Sequence, residues 1–310
     1  MTGDSIPYLD FPQRVRYLIE REYFDEVALA RDEQAFLESI NFHYFLGYAR
    51  NFRKMRREVK GFSSASISEL IEVVRLDQEL SCLLFEGLRM LEWRLRAAFV
   101  DSYCATHESV NSYHVASTYA RDELDQPIHE AVLRQVIRSK EPYIVEHISG
   151  RGEYASGDSM AKIDELVSGL PIWSVIDSIS FGTLVRMIRH TRRVSEEDEF
   201  MWKLVSSAIE TPHQMIHEYL VAAHTLRNLV AHHSRLWMRP TTNTPKFPNT
   251  YKREKRNAHP KSMYVMILSL SICLLKVPGG KDFKDRVDEL LSTSSAFSHG
   301  IRQVFIESKS

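Results

Sequence analysis

The sequence predicts an all-α fold, and three observations indicate it. Hydrophobic residues make up 44 % of the 310 positions and charged residues 26 %, with only 12 Gly and 11 Pro, which is typical of a helical globular protein. Between Ser66 and Ala105, leucines and a phenylalanine recur at steps of three and four, the spacing of one buried helical stripe. No segment shows the convincing alternation of apolar and polar residues that is typical of a strand.

Start and capping signals predict helices along the N-terminal third. A first helix follows Pro12, and a second spans about 32–40, before an aromatic stretch and then a basic one. Ser66 or Ser68 is predicted to cap the long helix that follows. This helix is expected to form the core, and Asp77, which we placed mostly off the buried stripe, marks where it could break.

The middle of the chain, about 106–169, is less regular. It contains helical stretches at 122–140 and 160–167, with a loop-like segment between them. We therefore expect a single domain spanning 1–310, in which 106–169 forms an insertion or a subdomain.

Helix signals continue in the C-terminal half. Pro171 opens a helical run that Gly182 interrupts, and Ser195 is predicted to cap the next helix. Thr211-Pro212 has the residue types of a helix start, and the helix that follows should run to about Trp237.

The last seventy residues are predicted to be a loop and two helices. Residues 243–260 carry turn residues and prolines and are predicted to form a surface loop. The two final helices should cover 261–276 and 282–307.

Composition and cysteine usage exclude several classes of protein. The formal net charge of −1 argues against coating nucleic acid by bulk charge, although local basic patches can still bind phosphates. The three cysteines are far apart and form no CxxC pair, so neither a disulfide framework nor a thiolate zinc site is predicted. The start of the chain lacks the features of a secretory signal, and no apolar stretch reaches the roughly 20 residues of a membrane helix. A cytoplasmic protein without membrane association is expected.

Neither a metal nor a cofactor is expected. His213, His217 and His224 share one predicted helix face, but no further strong ligand follows at a suitable spacing. Gly279-Gly280-Lys281 lacks the upstream glycine of a phosphate-binding loop, so nucleotide hydrolysis is not predicted.

The residues most suited to chemistry lie between 226 and 237. Arg227 and His232 have R-x4-H spacing, and Asn228 directly follows the arginine. Metal-independent RNA cleavage needs a base for a ribose 2′-OH, an acid for the leaving 5′-oxygen and a cation for the phosphate. Histidine suits the proton steps because its reference pKa is near neutrality. Arginine suits the phosphate because its planar fork stays charged and donates two hydrogen bonds.

We therefore predict a catalytic site made of Arg227, Asn228, His232 and His233, with His233 as a backup or structural residue. On an ideal helix, residues five apart differ by roughly 140° in direction, so Arg227 and His232 are not natural neighbours. Two copies facing each other would assemble an acid, a base and a phosphate clamp more easily, so a homodimer with a composite cleft is expected. The alternative is an exposed arginine and a hydrogen-bonded histidine at a helix end, without a catalytic role.

Two basic runs are candidates for phosphate contacts. Aromatic residues near the first run could stack on bases, and the second lies in a predicted loop that could clamp RNA. A solvated helix face is the alternative for each. The predicted RNA-binding residues are Arg50, Arg53, Lys54, Arg56, Arg57, Lys252, Arg253, Lys255 and Arg256.

Several short segments occur in an order that is known from one family. They are INFHYFLGY at 40–48, LEWRLR at 91–96, SFGTL at 180–184 and RNLVAHHSRLW at 227–237. They resemble motifs of the Abi-like (AbiD/AbiF-type) abortive-infection family, including "INYYRLSGY" and "RNxxAHHxRLW". The similar segments run from about residue 30 to residue 240.

The resemblance implies a HEPN-like helical bundle and a role in bacterial phage defence by abortive infection. It also implies RNA as substrate, with a small structured non-coding RNA as a further partner. Three hypotheses follow: a metal-independent endoribonuclease toxin, a non-catalytic RNA-binding protein, and a helical toxin that acts through a protein partner. Tyr44 stands where the family motif has arginine, and the middle region matches no family motif, which leaves the RNA partner and the trigger open.

Overall fold

The computed structural model describes residues 8–25, 28–62, 66–121 and 124–305. Within these ranges the chain is all-α, which confirms the predicted fold class: there are fifteen α-helices, short 3₁₀ turns and no strands. Two isolated bridges join Val110 to Pro171 and Tyr119 to Thr191.

The helices are numbered in chain order. The first seven are α1 (Phe11–Glu20), α2 (Arg31–Ser39), α3 (Phe42–Glu58), α4 (Ile67–Thr106), α5 (Ile128–Val136), α6 (Pro142–Ser149) and α7 (Met160–Val167). The other eight are α8 (Ile172–Val175), α9 (Phe181–His190), α10 (Met201–Ala208), α11 (Ile216–Ala231), α12 (Lys252–Arg256), α13 (Met263–Leu274), α14 (Gly280–Thr293) and α15 (Ser295–Arg302).

Helix α4, with 40 residues, is the centre of the fold. The Ser66 hydroxyl accepts a hydrogen bond from the Ser68 N–H (3.2 Å), so Ser66 caps α4 as predicted. Helices α10, α11, α13 and α14 pack along its apolar face. The break considered near Asp77 does not occur, because the Asp77 carboxylate bonds to other segments and does not compete for the backbone of its own helix.

Helix α13 is a core helix whose residues are all buried. It packs against α4, α11, α14 and α15. The buried hydroxyls of Ser269 and Ser271 donate to the carbonyls of Met266 and Ile267 (2.7 and 3.0 Å), which satisfies them inside the core. In the described parts of the chain, no helix combines the length and the apolar character needed to span a bilayer.

Several predicted helix ends in the second half of the chain are wrong. Helix α10 begins at Met201 and not after Ser195, because the Ser195 N–H is taken up by the Asp198 carboxylate in a turn (2.7 Å). The run after Pro171 is interrupted before Ser180, which caps α9, so Gly182 lies inside a helix.

The helix that carries the candidate site also differs at both ends from its prediction. A 3₁₀ turn at His213–Met215 precedes α11, and Thr211 does not cap it. Helix α11 ends at Ala231, six residues before Trp237, because the chain turns into a left-handed conformation at His233 (φ 50°).

The C-terminal segment has more helices than predicted. The expected loop at 243–260 contains α12, and the expected last helix is divided into α14 and α15. Ser294 separates these two helices because it is extended and accepts a hydrogen bond from the Phe297 N–H (3.3 Å), which starts α15. Residues 122, 123, 306 and 307 of the predicted helices lie outside the described residues. That 106–169 is an insertion or subdomain stays a prediction.

Candidate functional site

Helix α11 ends in a Schellman motif that presents two exposed histidines. The N–H of His233 donates to the carbonyl of Val230 (3.0 Å), and that of Ser234 donates to the carbonyl of Leu229 (2.9 Å). His232 is the C-cap, and His233 occupies the left-handed position where glycine is usual. The backbone therefore leaves the helix at this point and exposes both imidazole rings.

A buried carboxylate fixes the segment that follows the histidines. Asp77 of α4 is 3 % exposed and accepts hydrogen bonds from the N–H groups of Leu236 (2.9 Å) and Trp237 (3.0 Å) and from the Tyr48 hydroxyl (2.5 Å). Burial raises the pKa of Asp77 to about 6, although these bonds and the nearby Arg235 oppose the rise. Asp77 thus ties the segment to α3 and α4.

Arg235 and Trp237 hold the same segment from two sides. A guanidinium N–H of Arg235 donates to the carbonyl of Gly47, and a Cβ at position 47 would come within 3.3 Å of that nitrogen. The buried Trp237 indole donates to the carbonyl of Ala296 (3.0 Å) and stacks on Tyr48 with 6.2 Å between ring centroids. These two residues of the segment are therefore structural.

Arg227 lies in a separate depression between α11 and α4. The depression has a volume of about 340 Å³ and is lined by Phe85, Leu88, Arg89, Glu92, Trp93, Arg96, Asp177 and Arg227. Arg227 is half-buried, and its side chain makes no hydrogen bond or ion pair with any residue that the structure describes. Its guanidinium is therefore available to an anion.

A fixed ion pair forms one wall of this depression. Arg96 donates to the Glu92 carboxylate (2.5 Å) and to the carbonyl of Ile179 (2.7 Å), so its guanidinium closes the loop before α9. Arg89 instead lies 4.3 Å from the centre of the Trp93 ring. The positive charges available to a ligand here are therefore those of Arg227 and Arg89, beside the carboxylate of Asp177.

Asn228 is held by a histidine outside the R-x4-H motif. Its amide nitrogen donates to Nε2 of His224 (3.2 Å). Burial lowers the pKa of His224 and the charge of Arg227 lowers it further, so the neutral ring can accept this bond. A Cβ at Gly182 would come 2.7 Å from Nε2, so only glycine leaves room for the ring. The spacing of four residues between His224 and Asn228 was the sequence signal for this pair.

His233 opens into a second cavity, which Arg227 does not line. The cavity has a volume of about 590 Å³ and is lined by Asn41, Tyr44, Asp77, Gln78, Ser81, Cys82, His233 and Ser234. The Tyr44 and Tyr48 hydroxyls are 3.1 Å apart, so a hydrogen-bond chain runs from the cavity to Asp77. Burial raises the pKa of Tyr44.

The four predicted catalytic residues therefore lie close along the chain but do not share one pocket of a single copy. Arg227 lines the depression, His233 lines the cavity, and His232 is exposed without lining either. One stripe of α4 connects the two sites: Gln78 and Cys82 line the cavity, and residues 85–96 line the depression.

The side chains of the first predicted basic run contact other parts of the same chain. Its five cations contact rings or carboxylates of other segments: Arg50 with Tyr23, Arg53 with Tyr23, Lys54 with Phe305, Arg56 with Asp25, and Arg57 with Glu22. Ion pairs on a surface are weak, so phosphate could compete for them. RNA binding at this run stays a prediction.

The second predicted run lies on α12. Lys252, Arg253, Lys255 and Arg256 are exposed, and their side chains make no hydrogen bond or ion pair with the described part of the chain. These four cations are therefore free to bind a phosphate. RNA binding by this run also stays a prediction.

Histidines that were considered as metal ligands have other partners. His213 bonds to Ser207 (3.2 Å), and the His217 ring lies 4.9 Å from that of Trp202. Across the ranges that the structure describes, no three His, Cys, Asp or Glu side chains come together as a ligand set.

Comparison with known proteins identifies a family for the larger part of the chain. The model of the family described as Abi-like protein matches residues 35–238. This range includes α3, α4 and the whole segment from Arg227 to Trp237, whereas α12–α15 lie outside it. No curated protein and no solved structure matches the chain.

Proposed function

The chain belongs to the Abi-like protein family, and we propose on that basis that it acts in bacterial phage defence by abortive infection. We further propose that it does so as a metal-independent, HEPN-type endoribonuclease. The observation that carries the nuclease proposal is the end of α11, where an unpaired guanidinium and an exposed imidazole lie five residues apart.

The proposed reaction is attack by a ribose 2′-oxygen on the adjacent phosphate. A base takes the 2′-OH proton as the new P–O bond forms, and an acid gives a proton to the 5′-oxygen as its bond to phosphorus breaks. The products are a 2′,3′-cyclic phosphate and a 5′-hydroxyl. His232 would move the proton, and Arg227 would bind the phosphate and stabilise the charge that develops on it. Asn228, held by His224, would orient the ribose or the base.

The reaction needs one group as the base and another as the acid. A single copy could supply both from histidines only if His232 and His233 both reached the phosphate held by Arg227. Because Arg227 and His233 line different pockets of one copy, a site shared between two copies is favoured. The stripe of α4 that lines the depression suits such a contact, because it exposes Phe85 (53 %) and Trp93 (60 %). Large aromatic residues exposed at one site are typical of an interface.

The arrangement along α4 suggests how two copies would pair. The α4 residues that line the cavity have their midpoint near position 80, and those that line the depression have theirs near position 91. At about 1.5 Å per residue, the two midpoints are roughly 16 Å apart. A two-fold axis near Phe85 would set the α4 helices antiparallel. The Arg227 depression of one copy would then face the His233 cavity of its partner.

Cysteine cross-linking tests this pairing. With Cys82 and Cys104 replaced by serine, Phe85→Cys is expected to give a covalent dimer on oxidation, because residues on the two-fold axis approach their own copies. Asp101→Cys is the control, since it lies on α4 but about 160° away around the helix. Non-reducing gel electrophoresis reads the result, and equal cross-linking of the two variants would contradict the pairing.

RNA cleavage in the presence of EDTA tests the nuclease proposal. The wild type is expected to cut single-stranded RNA and to leave 2′,3′-cyclic phosphate ends. Arg227→Ala should lower the cleavage rate about 10²–10³-fold, because it removes the cation that stabilises the phosphorane. Arg31→Ala, an exposed arginine at the start of α2 that lines neither the depression nor the cavity, is the matched control.

The second candidate is an RNA-binding protein without cleavage, which would hold a small structured RNA in a ribonucleoprotein. The unpaired cations of α12 favour it, since they need no second copy to contact phosphate. Tight RNA binding by a wild type that leaves every RNA intact would support this candidate and reject the nuclease. If RNA is neither bound nor cut, action through a protein partner gains support.

A further inference from the structure

A cavity in the C-terminal part of the chain combines cations and acceptors from several elements. It has a volume of about 540 Å³ and lies among α12, α13, α14 and α15, outside the range that the family model matches. Cavities of about 300–1,000 Å³ are the usual size for small-molecule ligands. This cavity is thus large enough for a small-molecule ligand, and the proposed nuclease site does not account for it.

Three cations from three helices face this cavity: Arg253 of α12, Lys284 of α14 and Arg302 of α15. Lys284 is already paired with the Asp288 carboxylate, one turn away on its own helix. Neither arginine makes a side-chain hydrogen bond or an ion pair within the described residues. Two unpaired guanidinium groups on separate elements are suited to grip one phosphate from two directions.

Arg302 is held in place by stacking. Its guanidinium carbon lies 3.8 Å from the centre of the buried Tyr264 ring, and its backbone carbonyl accepts from the His259 N–H (2.7 Å). Stacking fixes the plane of the guanidinium and leaves the N–H groups at its edge free for a ligand. This group is thus oriented before any ligand arrives.

The lining also contains groups that a bare anion would not need. Glu254 and Asn257 offer side-chain oxygens, and Ser298 offers a hydroxyl, in the same space as the arginines. A carboxylate repels inorganic phosphate but accepts hydrogen bonds from sugar hydroxyls and from the amino groups of bases. The mixture fits a ligand that joins a phosphate to hydrogen-bond donors.

We propose that this cavity binds a nucleotide, with its phosphate between Arg253 and Arg302 and its sugar or base toward Glu254 and Asn257. The nucleotide could be free or could be one unit of an RNA chain, since both present the same chemistry. The site goes beyond the proposed nuclease function and does not depend on it.

Helix α15 links the cavity to the segment after the histidines. Ser298 and Arg302 line the cavity, while Gly300 of the same helix faces the Trp237 indole, where a Cβ would come 2.0 Å from Nε1. The Met238 N–H also donates to the carbonyl of Gly300 (2.7 Å). A ligand in the cavity should therefore slow hydrogen exchange at α15 and at the backbone of Trp237 and Met238.

Equilibrium binding to the full chain tests the proposal, with His232→Ala protein so that no RNA is cut during the measurement. The probes are ATP, GTP, inorganic pyrophosphate, and a decamer RNA with either a 5′-phosphate or a 5′-hydroxyl. Arg253→Ala and Arg302→Lys are each expected to weaken nucleotide binding about tenfold or more, because each removes a forked contact to phosphate. Arg138→Ala is the control and should bind as the parent does. Thermal unfolding confirms that each variant is folded.

Each outcome decides the proposal. Binding of ATP or GTP that both variants weaken supports a free nucleotide. Binding of either decamer, but not of ATP or GTP, that both variants weaken supports a unit of RNA. Pyrophosphate binding as tightly as ATP would overturn it, since the sugar and base contacts would then contribute nothing. Absence of binding by every probe, or binding that neither variant changes, would also overturn it.

Discussion

Replacing Asp77 by alanine is expected to lower the free energy of unfolding by about 3–5 kcal/mol. The carboxylate accepts from Leu236, Trp237 and Tyr48. Its loss leaves two buried backbone N–H groups without a partner and the Tyr48 hydroxyl with Tyr44 alone. Each unsatisfied buried donor costs about 1–3 kcal/mol, and some of this cost is recovered as the segment relaxes. Urea denaturation followed by circular dichroism measures the change.

Asp101→Ala is the matched control for this prediction. Asp101 lies on the same helix, is exposed and makes no side-chain hydrogen bond within the described residues, so its replacement should change stability by less than about 0.5 kcal/mol. If the two variants unfolded at the same urea concentration, Asp77 would not hold the segment as described.

The pH dependence of stability in the wild type and in Asp77→Asn gives an independent check. Burial raises the pKa of Asp77 to about 6 in the folded chain, above its ordinary value of 3.8, so the folded state binds more protons between these pH values. Stability from this group is therefore greatest below about pH 4 and is lost as the pH rises through about 6. The difference in unfolding free energy between the wild type and Asp77→Asn should shrink over this interval, by up to about 3 kcal/mol, at about 1.4 kcal/mol per pKa unit.

His232→Ala is expected to lower the rate of RNA cleavage about 10²–10⁴-fold, the usual contribution of one acid or base. His232 is exposed and lines neither cavity, so its removal should leave stability and the dimer unchanged. Single-turnover cleavage of a labelled RNA in EDTA measures the effect. Imidazole added to the buffer should restore part of the activity, because it can enter the space that the side chain leaves.

The control for this prediction is His213→Ala, which removes an exposed imidazole at the opposite end of α11. Cleavage by this variant should match the wild type. A His232→Ala protein that cuts RNA at the wild-type rate would remove His232 from the reaction, and the proton steps would then have to be assigned to other groups.

Local patterns predicted most of the helical elements. Apolar residues at steps of three and four, with Ser66 as a cap, predicted α4 because both signals act within a few residues of the chain. The same local signals misplaced the end of α11. A histidine at position 233 does not predict a left-handed conformation, because glycine is the residue that usually adopts it.

The amino-acid sequence was sufficient to predict that this chain folds as packed helices and that one of them carries an R-x4-H segment. The folded structure was needed to show that Asp77 fixes this segment, through bonds to residues 159 and 160 positions away. It was also needed to show that Arg227 and His233 line different pockets. Periodicity records which face of a helix is apolar, whereas contacts between distant segments depend on how those faces pack, and that information is not local.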